Sequence, residues 1–137
     1  MRVTAKKGKD KMERTELHYA ANENDLSKVK ELIMSGEDVN LQDSAGWTPL
    51  HFAAQDQSVS IASILIDAGA KIDVRDIHGN TPLSKAVFNY SFDGSVIELL
   101  RKCGADPYAE NNYGQTPIGL ARLIANYDVA KFFDDLP

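Results

Sequence analysis

Along the chain, short apolar steps at helical spacing alternate with polar, glycine-containing stretches. In "GWTPLHFAA", residues 46–54, Leu50, Ala53 and Ala54 fall at i, i+3 and i+4, which is one face of a helix. Thr48 is a good N-cap, because its hydroxyl can accept from a free N–H of the first turn. Pro49 then stands at the first helical position, where its missing N–H costs nothing. After a break at "QDQS", a second helix is expected from about Val59 to Ala68, with Ile61, Ile64 and Leu65 inward. Gly69 supplies the left-handed residue that ends it. "AKIDVRDIHGN" has no helical period and reads as a hairpin-like loop. One unit is therefore helix, turn, helix, loop.

The unit recurs. "TELHYAA", "TPLHFAA", "TPLSKAV" and "TPIGLAR" begin at Thr15, Thr48, Thr81 and Thr116, in steps of 33, 33 and 35. Gly36, Gly69 and Gly104 follow the second helices in the same register, and Gly46, Gly79 and Gly114 each precede a threonine by two residues. Three landmarks in one register define a tandem repeat. A unit this small cannot bury its apolar face alone, whereas stacked units can.

"DSAGWTPLHFAA…LIDAGAKID" resembles the ankyrin repeat family almost letter for letter. The resemblance covers residues 15–137, as repeats at about 15–42, 43–75, 76–110 and 111–137. It implies an all-α solenoid of four stacked helix-turn-helix repeats joined by hairpin-like loops. It also implies a non-enzymatic module that binds a partner protein through loop tips and first helices on a concave side. Four repeats could offer about 800 Å² per partner. In this resemblance His18 and His51 are structural and bond between repeats.

Departures from the pattern carry further expectations. Glu16 replaces the usual proline, and acid in a first turn suits the helix dipole. Two extra residues within "VFNYSFDGSV" put Phe88, Tyr90 and Phe92 near an enlarged turn. The last first-helix is expected to run on through "ARLIAN" as part of a C-terminal cap.

Charge is uneven. Residues 1–14 hold six Lys/Arg and two Asp/Glu, and read as a disordered basic leader. The rest holds nine Lys/Arg and eighteen Asp/Glu, which disfavours nucleic acid as a partner. No apolar run approaches membrane-spanning length. A lone cysteine, Cys103, suits a reducing compartment such as the cytoplasm. Neither the three histidines nor the dispersed glycines form a metal or phosphate-binding motif, so no cofactor is expected.

The family's contact slots map onto Ser44, Ala45, Ile77, His78, Asn112 and Tyr113 at loop tips, and onto Gln42, Arg75 and Glu110 before them. At the ends of first helices they map onto Asn22, Glu23, Gln55, Asp56, Phe88 and Asn89, with Tyr90 beside them. Trp47 occupies a slot that holds Asn80 and Gln115 in the following repeats. It is either packed along an adjacent loop or a binding anchor. Asn80 joins the same surface. The acidic balance suits a monomer that grips a basic partner, such as an inhibitor or immunity-type protein of a basic enzyme. A generic adaptor or scaffold fragment is the alternative. Catalysis would need groups absent from the sister repeats, and Asp93 or Tyr90 in the insertion is the place for them.

Overall fold

The computed structural model describes residues 11–91, 93–124 and 128–137. Among the described residues seven α-helices follow one another: α1 (Glu16–Asn22), α2 (Leu26–Met34), α3 (Pro49–Gln55), α4 (Val59–Asp67), α5 (Pro82–Phe88), α6 (Ser95–Lys102) and α7 (Pro117–Leu123). A 3-10 helix at Asp128–Phe133 stands where an eighth would be. No β-strand occurs among the described residues, and the hairpin-like segments are hydrogen-bonded turns.

The threonines start helices as their sequence context requires. The hydroxyls of Thr15, Thr48, Thr81 and Thr116 accept from the N–H groups of His18, His51, Ser84 and Gly119. Each such cap contributes about 1 kcal/mol. The apolar face behind each cap is buried at equivalent positions: Leu17, Leu50, Leu83 and Ile118. Burying one such side chain contributes about 2 kcal/mol. Small residues one turn later (Ala20, Ala53, Ala86 and Ala121) are buried too. They let α1, α3, α5 and α7 lie side by side in one row. Helices α2, α4 and α6 form a second row behind it. A single core runs between the rows.

Two expectations about the ends are corrected. The leader does not extend to residue 14: Met12 O accepts from Ser44 N at 2.7 Å, and Arg14 Nε donates to Asp43 Oδ2 at 3.1 Å. The buried Asp43 carboxylate draws this cation in, so residues 12–14 belong to the folded unit. The rest of that expectation, residues 1–10, lies outside the described residues. At the other end, α7 stops at Leu123, the same length as α1, α3 and α5, instead of running on. Ile124 is already extended at ψ 92°.

The insertion between α5 and α6 is an enlarged turn, but its aromatics divide. Phe88 is exposed, whereas Tyr90 is 7 % exposed and packs edge-on against Phe132 with centroids 5.5 Å apart. Phe92 lies outside the described residues. The Phe132 ring fills the space above Gly94, where a Cβ would come within 2.0 Å of it. The extra chain length thus carries Tyr90 down to meet the terminal 3-10 helix.

Candidate functional site

The surface in question is built from three loops of one design. In each, a side-chain oxygen folds the turn by accepting two backbone N–H groups. Asp43 Oδ1 accepts from Ala45 and Trp47 at 2.9 and 2.8 Å. Asp76 Oδ1 accepts from His78 and Asn80 at 2.8 and 2.9 Å. Asn111 Oδ1 accepts from Tyr113 and Gln115, both at 2.9 Å. These are Asx-type turns.

Neighbouring loops are stitched together. Ile77 N donates to Ala45 O at 3.0 Å, and Asn112 N donates to His78 O at 2.9 Å. Gln42 Nε2 reaches Arg75 O at 3.1 Å, and the Arg75 guanidinium donates to Glu110 O. The fit is close. A Cβ on Gly46 (φ +82°) would lie 2.8 Å from the Asp76 Cα, and one on Gly79 (φ +82°) 2.9 Å from Asn112 N. Glycine is needed there both for its left-handed backbone and for the approach of the next loop.

The imidazoles lock helices to these loops. His51 Nδ1 accepts from Thr48 N at 3.1 Å, so its proton sits on Nε2, which donates to Asn80 O at 3.0 Å. His18 repeats this with Thr15 N at 3.0 Å and Trp47 O at 2.9 Å. Burial lowers the pKa of both, that of His51 to about 4. They are structural, as the resemblance implied.

Cations fill the spaces beside the first two imidazoles. Arg14 lies over the rings of Phe52 and Tyr19, at 5.1 and 5.9 Å, while pairing with Asp43. Lys85 Nζ lies 4.3 Å from the Trp47 ring and 3.2 Å from Asp76 Oδ2. Burial pushes the Asp76 carboxyl up, but the N–H groups of Asn80 and His78 and the Lys85 charge outweigh it and hold it below its ordinary value. Trp47 itself is half-buried, 4.8 Å from Phe52 and 5.7 Å from His51. Its ring thus packs within the repeats on one side while part of it stays exposed.

The remaining predicted residues sort by what they touch. Ile77 and Tyr113 stand out from the loop tips, 59 % and 72 % exposed, and the Tyr113 hydroxyl lies 2.8 Å from His78 Nδ1. Ser44, Arg75, His78, Glu110 and Asn112 are exposed but tied to adjacent loops or, for Ser44, to Met12. Ala45, Gln55 and Asn80 are half-buried, and Asp56 is exposed. Partial burial raises the Asp56 pKa. Asn89 is exposed, with its amide donating to Lys85 O at 2.9 Å. Tyr90 does not belong to this surface, because Phe132 holds its ring inside. Asp93, the other residue of interest in the insertion, accepts from Ser95 N and Oγ at 3.0 and 2.6 Å and so organises the start of α6.

Sequence reasoning missed Leu123, which is 70 % exposed. It stands one repeat after Phe88, itself 69 % exposed, and the step of 35 residues would have located it. It also missed a cavity of about 250 Å³ lined by Ser84, Phe88, Asn111, Gln115 and Leu120, among others. No group of three His, Cys, Asp or Glu among the described residues could hold a metal ion. No helix there is long and apolar enough to cross a membrane.

Capped helix pairs in two rows, stitched loops and imidazoles bridging successive units define a helical repeat protein. The family model described as ankyrin repeats (3 copies) matches residues 17–111, more than half of the chain. The chain belongs to the ankyrin repeat family, whose repeats generally act as protein–protein interaction modules and typically carry no catalysis. No curated protein matches it.

Proposed function

We propose that this protein binds a partner protein through the side formed by its loop tips and the row α1, α3, α5 and α7. The observation that carries the reading is the adjacent pair Phe88 and Leu123, exposed at equivalent ends of α5 and α7. Ile77 and Tyr113 add apolar surface at the neighbouring loop tips. Large exposed apolar side chains at matching positions are unusual on a surface that touches only water, and they suit the anchors of an interface. Glu23, Asp56 and Glu110 border this side and favour a partner with basic surface, which would speed encounter more than tighten binding. Inhibition of a basic enzyme, in the manner of an immunity protein, is the narrower form of this proposal and rests on that charge. Monomeric action in the cytoplasm belongs to the same proposal.

The test is affinity capture with the tagged full chain, comparing Phe88→Ala/Leu123→Ala with Met34→Ala. Met34 is exposed at the end of α2, in the other row. A partner retained by Met34→Ala and lost from the double variant is the expected outcome. Equal retention by both variants would overturn the placement of the face.

A further inference from the structure

Three equivalent spaces lie between successive first helices, and the third is empty. In the first, His18 donates to Trp47 O, which also accepts from Asp43 N at 2.8 Å. In the second, His51 donates to Asn80 O, which also accepts from Asp76 N at 2.9 Å. The corresponding carbonyl in the third is Gln115 O. It accepts from Asn111 N at 2.8 Å and from no second donor among the described residues. Ser84 stands where the imidazole would be, too short to fill the space. It is 9 % exposed.

The surrounding groups differ in kind as well as in size. Asn80 replaces Trp47, Leu120 replaces Lys85, and Asn111 replaces the carboxylate of Asp76. The Lys85 ammonium, on the wall of the cavity, is already turned to Asp76 and Trp47. The vacancy of about 250 Å³ therefore offers hydroxyl, carbonyl and amide groups beside the Phe88 ring, with no unpaired charge. Two copies of the same space in this chain hold a neutral N–H-bearing ring that reaches the loop carbonyl.

We propose that this cavity is a binding site for a neutral nitrogen-heteroaromatic side chain, histidine or tryptophan, supplied by a partner protein. Its ring N–H donates to Gln115 O, the Ser84 hydroxyl donates to the bare second nitrogen when the ring is imidazole, and its face lies against Phe88 and Leu120. The inference rests on the partner-binding reading and specifies what the partner inserts.

The experiment uses the full chain labelled with nitrogen-15 and titrated with imidazole, at a pH where it is neutral, and separately with indole. Saturable shifts in the millimolar range are expected at the amides of Ser84, Asn111 and Gln115. Ser84→His supplies the ring from within. It should raise the melting temperature and weaken probe binding by roughly tenfold or more. Ser84→Ala, which keeps the vacancy, should weaken it only by about threefold. Ser84→His should also retain less of the captured partner. Shifts scattered over the surface, or unchanged by both substitutions, would overturn the assignment. Full partner retention by Ser84→His, with probe binding lost, would overturn the partner's use of the cavity while leaving the Phe88–Leu123 face intact. Failure of that face is read separately, from Leu123→Ala combined with Ile77→Ala, neither of which lines the cavity.

Discussion

His51 has both ring nitrogens committed in the neutral form, so a second proton would point Nδ1–H at the Thr48 N–H. Burial opposes the charge first. The Asn80 carbonyl and the charges of Asp76 and Asp43 favour the proton, Lys85 opposes it, and the balance lowers the pKa from 6.5 to about 4. The unfolded chain then binds more protons than the folded one between these values. Stability is complete above pH 6.5, falls as pH drops towards about 4, and levels off below. The contribution is about 3 kcal/mol, measurable as a falling urea midpoint across that range. His18, shifted in the same direction by the same leading cause, steepens the fall. His51→Gln should flatten it. Arg14 offers a second test at this scale. Arg14→Ala strands the buried Asp43 carboxylate and should cost about 2 kcal/mol by the same measurement.

At the scale of elements, two glycines of one slot separate backbone strain from packing. Gly79 and Gly114 have φ of +82° and +79°, but only Gly79 is pressed against a following loop. Gly114→Ala should cost about 1 kcal/mol, from the left-handed backbone alone. Gly79→Ala should cost roughly 2 kcal/mol more, because the backbone of Asn111 and Asn112 has to move. Calorimetry of the two variants checks the difference. The helices, their threonine caps and the glycine turns were legible in the sequence because each depends on contacts within a few residues. Tyr90 was not, because its burial is decided by Phe132, which arrives from a distant 3-10 helix. Trp47 was legible only as a choice. Its slot was visible, but the Lys85 ammonium that covers it comes from the next repeat. The cavity left a trace in "TPLSKAV" and "TPIGLAR", where Ser84 and Gly119 interrupt the histidine series. Reading that trace as space required the neighbouring loop.

Along the row of first helices, contacts run from α1 to α3, α3 to α5 and α5 to α7, so cooperativity is transmitted from neighbour to neighbour. Tyr90→Ala removes the ring on which Phe132 rests and should loosen the terminal 3-10 helix. The expected result is faster amide exchange there, with α1 to α4 unchanged. The histidine series has a further consequence at this scale. Imidazoles join α1 to the Asp43 loop and α3 to the Asp76 loop, but a hydroxyl stands at the junction beyond. Mild acid therefore does not weaken the array evenly. It attacks the two amino-terminal seams and spares the carboxy-terminal one, so the molecule should unzip from one end while Phe88 and Leu123 are still held in place.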